Sequence, residues 1–261
     1  MKPIVDEGEP TVTVTVRDRI LVITINRPAV RNAVNGDVAR RIADAVQELD
    51  SDDELRVGVL TGAGGTFCSG MDLKALLAGD LPWVEGKGFG GLTQLPPRKP
   101  LIAAVEGWAV AGGFELMLAC DLVVASEAAA FGVPEVKLAT VAGGGAAMRL
   151  PQRIPTAIAL EMLLTGDTIS ARRAAELGLV NRLTGEGEAL SVALELASTI
   201  AANGPLAVTA TKQIARAAAE WSRADEWSEQ DRLARPIYES RDAREGATAF
   251  AEKRAPVWFG R

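Results

Sequence analysis

Leu101-Ile-Ala-Ala-Val-Glu-Gly-Trp-Ala-Val-Ala-Gly-Gly-Phe-Glu-Leu-Met-Leu118 changes character halfway along. Its first five residues form a short, wholly apolar run, the length of a buried strand and too short for a helix. Gly107 and the pair Gly112-Gly113 then punctuate the chain. From Gly113 to Ala119 a helical run is expected. The same sequence of strand, glycine turn and short helix continues downstream. Strands are expected at 101–105, 121–125 and 179–183, and helices near 113–119, 145–150, 156–164 and 170–177. Alternating strands and helices predict a layered α/β fold.

Upstream, Val12, Val14 and Val16 alternate with threonines, and a second β-branched run follows from Ile20 to Asn26. Two such runs across a polar break predict a hairpin. Val38, Ile42, Ala45, Val46 and Leu49 recur at helical spacing, with Asn35 or Asp37 as the cap. A strand at 57–61 leads into Gly62, Gly64 and Gly65. Residues 79–100, rich in glycine and proline, are expected to be a long surface loop, functional or mobile. Within it Gly86-Lys-Gly-Phe-Gly-Gly91 has the spacing of a dinucleotide fingerprint, but no strand is expected before it and no helix after it. Downstream of residue 187 only helices are expected, at 187–203, 205–221, 223–235 and 241–253, anchored by Trp221, Trp227, Trp258 and Phe259. The division is therefore a core over 1–190 and a C-terminal helical region over 191–261.

Composition removes several chemistries. There is no histidine, which excludes Ser-His-Asp and Cys-His mechanisms and every histidine metal site. Any acid or base near neutral pH must then be a carboxylate, Lys, Tyr or Cys. Two cysteines, Cys68 and Cys120, cannot build a zinc site and predict a reducing, cytoplasmic setting. The start, MKPIVDEGEP, lacks the apolar stretch of a signal peptide. A formal charge of −6 argues against nucleic acid as a partner. No apolar run reaches the length of a membrane span.

Three segments can carry chemistry. Gly112 and Gly113 stand near a predicted helix N-terminus, where backbone N–H groups lack partners and negative charge is favoured. They are either an oxyanion site or simply a tight turn. Thr61-Gly-Ala-Gly-Gly-Thr-Phe-Cys-Ser-Gly-Met-Asp-Leu-Lys74 also runs from strand through glycine loop toward a helix, so the Met71 N–H is a second candidate donor. Cys68 lies in that segment; with no histidine to activate it, a small buried thiol is the better reading. Glu115, among apolar neighbours, and Glu135, in Phe131-Gly-Val-Pro-Glu135, are candidate acid/base groups, because burial raises a carboxylate pKa. The alternative for each is a surface glutamate.

Together these segments resemble the crotonase (enoyl-CoA hydratase/isomerase) superfamily. The likeness runs through Phe67-Cys-Ser-Gly-Met-Asp-Leu-Lys74, Lys99 to Leu116 and Phe131-Gly-Val-Pro-Glu135. It continues in Leu164-Thr-Gly-Asp167, Ala174-Ala-Glu-Leu-Gly-Leu-Val180 and Glu252-Lys-Arg-Ala-Pro256. The resemblance implies a spiral of ββα units with a C-terminal helical trimerisation region, assembled as a homotrimer or dimer of trimers. It implies an acyl-CoA thioester as the ligand, with CoA entering as part of the substrate and no metal or other cofactor. It assigns the oxyanion donors to Met71 and Gly112 and the catalytic pair to Glu115 and Glu135. Met71, Asp72, Leu73, Lys74 and Gly112 would line the substrate site, with Lys74, Lys253 and Arg254 as candidates to meet phosphates. Loop 76–98, with Trp83, Phe89 and Leu92, would shape the acyl pocket.

Both glutamates point to hydration of the 2,3 double bond of an enoyl-CoA of short to medium chain. The alternatives are an enoyl-CoA isomerase, a carnitinyl-CoA-type dehydratase, or a non-catalytic acyl-CoA-binding oligomer. The sequence departs from the family after Glu135: Ala142 stands where proline is common and Ala146 where a second glycine is common.

Overall fold

The computed structural model describes residues 9–260. The signal-peptide reading falls mainly on residues 1–8, outside the described residues. Strands β1 (Val12–Arg17) and β2 (Ile20–Ile25) form the expected antiparallel hairpin. Helix α1 (Gly36–Ser51) follows, and Asn35 is its cap, accepting from the Val38 N–H at 3.1 Å. Then come β3 (Val57–Gly62) and the short helix α2 (Leu73–Leu77). The expected loop 79–100 contains a small hairpin, β4 (Trp83–Val84) with β5 (Gly88–Phe89), so a strand does precede part of the glycine run. No helix follows it before β6, and the dinucleotide reading still fails.

The middle of the chain alternates as expected: β6 (Leu101–Val105), β7 (Trp108–Val110), α3 (Gly112–Ala119), β8 (Leu122–Ser126), β9 (Ala130–Gly132), α4 (Ala146–Arg153), α5 (Thr156–Thr165), β10 (Thr168–Ser170), α6 (Ala171–Glu176) and β11 (Arg182–Thr184). The three-residue strands β7, β9 and β10 were not expected, being too short to show a period. β11 begins three residues later than the apolar run that suggested it, because Leu179 and Val180 pack into the core from the turn before it. Four helices close the chain: α7 (Ala189–Ala201), α8 (Pro205–Ala217), α9 (Glu226–Tyr238) and α10 (Arg241–Glu252).

The large sheet has the order β1-β2-β3-β6-β8-β11 and is parallel except for β1. The small sheet has the order β10-β9-β7. Each turn of chain crosses from the large sheet to the small layer and then into a helix. β6 leads to β7 and α3, and β8 leads to β9 and then to a 3-10 turn over Pro134–Leu138. The earlier turns do so with single bridges: Val34 pairs with Met71 ahead of α1, and Cys68 pairs with Ala109 ahead of α2. Repeating this crossing makes a spiral of ββα units. All five residues of β6 are buried, as a strand covered on both faces should be.

α7 packs its Ala193 and Ala197 on the outer face of the large sheet, against Val22, Val59, Ile102 and Val124. It crosses residue 190, where the core was expected to end. Trp258 anchors the tail, donating from Nε1 to the Ala202 carbonyl at 2.7 Å. Phe259 is held by the Arg241 guanidinium 3.4 Å above its ring. Trp227, expected as an anchor, is instead 69% exposed among the described residues. No single helix among the described residues is long and apolar enough to cross a membrane.

Candidate active site

The site grows from the start of α3. Ala111, the residue before this helix, has φ 50° and ψ −131°. A side-chain-bearing residue rarely adopts this region, and holding it there costs on the order of 1–3 kcal/mol. The Ala111 N–H is tied to the Gly132 carbonyl at 2.9 Å. This sharp corner turns β7 into α3 within one residue. The glycines that follow supply space. A Cβ on Gly112 would run into the Phe89 ring, and one on Gly113 into the Cys68 carbonyl. The sequence placed an oxyanion site or a tight turn at the glycine pair; the backbone strain of that turn falls on the alanine before it.

The second donor lies beside the first. Gly70, at φ 99°, packs so closely that a Cβ there would stand 3.1 Å from the Gly112 nitrogen. Met71 follows it directly. The neighbouring groups Val34 N–H and Asp72 N–H pair with the Gly70 and Val34 carbonyls. Among the described residues, neither the Met71 N–H nor the Gly112 N–H donates to the protein. Two adjacent unpaired donors at one corner are what stabilisation of an oxyanion requires.

Cys68 lies beneath this corner, fully buried, with the Gly70 N–H 3.3 Å from its sulfur. Burial pushes its thiol up to about 12, as an inert core thiol. Asp72 has a structural job. It caps α2, accepting from the Lys74 and Ala75 N–H groups, and pairs with Arg27 at 2.9 Å. Arg27 also donates to the Ala33 carbonyl, which locks the Met71 segment to the loop before α1. Leu73 and Lys74 sit exposed on the first turn of α2. Arg254 is held by Glu245 and Glu252, so its charge is already partnered, and Lys253 ends α10.

Glu115 sits one turn into α3, only 3% exposed. A charged carboxylate there must be held by donors. They come from the turn before α4: the Ala146 N–H donates to Glu115 Oε1 at 3.1 Å, and the Gly144 and Gly145 N–H groups also stabilise the charge. Gly144 is needed for this approach, since a Cβ there would lie 2.5 Å from Glu115 Oε2. Burial still dominates and, with the charge of Glu135, pushes Glu115 up to about 7. Glu135 sits on the 3-10 turn after β9, half-buried, and its Oε2 has no hydrogen-bond partner. Burial raises its pKa as well. The structure thus brings Met71, Gly112, Glu115 and Glu135 to one corner of the spiral.

Sequence reasoning missed two supports, Arg149 and Arg27, and named a third, Phe89, only as part of the acyl-pocket loop. Arg149, one turn into α4, donates to the Gly144 carbonyl at 3.3 Å and to the Thr93 carbonyl. Its only signal was an arginine shortly after three glycines. Phe89 is buried against Gly112 and makes an edge-on pair with Trp83 at 5.5 Å. Arg27 gave no signal, because its partner Asp72 is distant in sequence. Among the described residues no cluster of His, Cys, Asp and Glu has the arrangement of a metal site.

A buried and a half-buried carboxylate stand beside two free amides on a ββα spiral, and comparison with known proteins identifies the family. Residues 15–261 match the family model described as enoyl-CoA hydratase/isomerase, and the chain belongs to that family. It is 42% identical to the enoyl-CoA hydratase EchA19 of Mycobacterium tuberculosis, over 98% of each chain. It is 41% identical to the carnitinyl-CoA dehydratase of Proteus mirabilis, over 95% of this chain and 97% of that one. Among solved structures, the enoyl-CoA hydratase EchA1 of Mycobacterium marinum superposes with a TM-score of 0.96 at 58% identity, covering 97% of this chain and 100% of that one. The spiral is therefore the crotonase fold, with its helical C-terminal region.

Proposed function

We propose that this enzyme adds water reversibly across the 2,3 double bond of an enoyl-CoA thioester, using Met71 and Gly112 as oxyanion donors and Glu115 and Glu135 as the acid/base pair. Membership of the family and its hydratase relatives make the chain a hydro-lyase of the enoyl-CoA hydratase type. The observation that carries the residue assignment is Glu115. It is a buried carboxylate poised near 7, on the same helix as a free oxyanion amide and within the field of Glu135.

The chemistry follows from those positions. The thioester oxygen accepts from the Met71 and Gly112 N–H groups, which draws electron density toward the oxygen and leaves Cβ electrophilic. Water held by the glutamates loses a proton to a carboxylate as its oxygen bonds to Cβ. Charge accumulates on the thioester oxygen as an enolate, where the two amides hold it more strongly than they hold the neutral carbonyl. A proton then passes from the other glutamate to Cα. Glu135, with its free Oε2, is the group facing Cα; Glu115, held by the 144–146 turn, is the group that orients and deprotonates water. Water addition leaves the overall oxidation level unchanged, so the reaction calls for no redox group; the two amides take the part of the electrophile, and CoA takes part only as a portion of the substrate.

Dehydration of a carnitinyl thioester is the second reading, because relatives at 41 to 42% identity bear the name carnitinyl-CoA dehydratase. Glu115 favours either of these over isomerisation, which needs one acid/base group. We also propose a homotrimer or dimer of trimers. Supporting this, α8 and α9 bury no residue fully, and Trp227, Tyr238 and Phe250 stand 69%, 76% and 88% exposed. A groove of about 1160 Å³ also opens between α8 and the core. A cytoplasmic site of action fits the two free, buried thiols.

The test is product identification by mass and chiral chromatography. Crotonyl-CoA and carnitinyl-CoA are supplied to the wild type and to the Glu115→Gln, Glu135→Gln double variant. 3-Hydroxybutyryl-CoA formed by the wild type and lost in the variant is the expected result. Turnover of carnitinyl-CoA alone would replace the first reading with the second. Binding of both thioesters with turnover of neither would reduce the chain to a binding role.

A further inference from the structure

The Gly143-Gly144-Gly145 turn lies between two charged side chains. On one side is the Glu115 carboxylate, which accepts from the Ala146 N–H at 3.1 Å and lies against Gly144, where a Cβ would stand 2.5 Å from its Oε2. On the other is the Arg149 guanidinium. Its Nη1 donates to the Gly144 carbonyl at 3.3 Å, and its Nη2 donates to the Thr93 carbonyl on the loop after β5. Arg149 fits there because Gly145, at φ 111°, carries no Cβ; one added would stand 2.5 Å from Nη1.

We propose that Arg149 is a positioning residue for Glu115, bracing the Gly144 carbonyl so that the turn keeps the Ala146 N–H on the carboxylate and favours its ionised form. This rests on Glu115 acting in the reaction. Arg149 does not touch substrate; it braces the rear of the turn whose front holds the catalytic carboxylate. The charges around the turn can be named. Glu135 on the 3-10 turn opposes ionisation of Glu115. Arg216 on α8 and Arg153 on α4 repel Arg149, and Glu115 attracts it. Arg216 is itself held by Asp121 at 2.7 Å, which also takes Lys212 at 2.6 Å. Arg149 is thus the cation that joins this cluster to the site, since Arg153 spends its donors on the Leu118 and Cys120 carbonyls.

The experiment titrates Glu115 directly, by carboxyl carbon NMR on the unliganded full-length protein. Its signal is assigned by its absence in Glu115→Gln. Arg149→Gln and Arg149→Lys are compared with the wild type, and kcat and KM for the enoyl thioester are measured across pH. In Arg149→Gln the Glu115 midpoint is expected to rise by about one pH unit. The pH dependence of kcat is expected to move with it. A misplaced catalytic group also costs about 10- to 100-fold in kcat, with KM changing far less. Arg149→Lys keeps the charge but not the fork that spans both carbonyls. Its midpoint is expected to fall between the other two. An unchanged midpoint in a folded Arg149→Gln protein overturns the proposal, as does an Arg149→Lys midpoint equal to wild type. If Arg149→Gln does not fold, Arg149→Lys decides alone. Full activity in Glu115→Gln would instead defeat the two-glutamate reading, and the titration would still report on the brace.

Discussion

The spiral core and the C-terminal helices use their apolar side chains in opposite ways. In the core, every residue of α3 is buried and β6 is covered on both faces. In the tail, α8 and α9 bury nothing completely, while Trp227, Tyr238 and Phe250 face outward. Dense packing in the core is what lets it hold a residue such as Ala111 in an unfavourable conformation and keep a carboxylate such as Glu115 out of water. The tail has no such surplus. Its exposed aromatic surface is the face on which the proposed assembly rests. Under that proposal, chemistry sits where the fold is over-determined and assembly where it is under-determined.

The sharpest way to break this division is to remove the core's polar chemistry without disturbing its shape. Glu115→Gln and Glu135→Gln keep size and hydrogen-bonding capacity while removing proton transfer. Loss of general acid/base catalysis costs about 10²- to 10⁴-fold for each group. A fall of 10³-fold or more in kcat is expected for the double variant, with an unchanged oligomeric state by light scattering. Residual activity within tenfold of wild type would move the chemistry to other residues.

Gly144→Ala probes the same corner by sterics alone. The new methyl must displace Glu115 Oε2, 2.5 Å away, or move the turn. A kcat loss of about 10²-fold is expected from misplacing the carboxylate, with destabilisation of about 1–3 kcal/mol from overpacking. Stopped kinetics with the normal substrate and a urea melt measure the two separately. A change in stability without a change in kcat would show that the turn merely packs on Glu115.

The region most legible in sequence was the one with the strongest periodicity. The β1–β2 hairpin, α1, β6 and α3 stand where apolar spacing placed them, and of the two caps offered for α1 Asn35 is the one used. Glu115 could be singled out because a carboxylate inside Phe114-Glu-Leu-Met-Leu118 breaks a wholly apolar pattern. The missing parts share a physical cause. β7, β9 and β10 are three residues long, below any detectable period, and form through long-range pairing. Arg27 with Asp72, and Arg149 with Thr93, are contacts between segments 45 and 56 residues apart. The role of Ala111 is set by the strands around it, and nothing in the alanine itself announces φ 50°.

Phe250→Glu tests the tail. The residue is 88% exposed in the single chain, so a charge there costs the folded monomer almost nothing. If α10 packs against another copy, burying that charge costs the interface about 2–4 kcal/mol. Light scattering is expected to show a smaller species at micromolar protein with unchanged far-ultraviolet circular dichroism. The same mass as wild type would remove this face from the interface and turn the test to Trp227 and Tyr238 on α9.

The last effect is the smallest and joins site chemistry to core stability. Glu115 titrates near 4.5 when the chain is unfolded and about 7 when it is folded. Below pH 4.5 both states hold the proton, and the carboxyl carries no ionisation penalty. Between about 4.5 and 7 the folded chain keeps a proton that the unfolded chain has lost, so stability falls as pH rises. Above 7 the full cost remains. Glu135, also raised by burial, acts in the same direction. Glu115→Gln removes the ionisation while keeping an acceptor for the Ala146 N–H. It is therefore expected to be more stable than wild type by about 1–3 kcal/mol at pH 8, and to lose that advantage near pH 4.5. Urea melts at the two pH values measure the difference. An equal gain at both would trace it to packing, and no gain at pH 8 would mean that the three N–H groups of the 144–146 turn already compensate the buried charge in full.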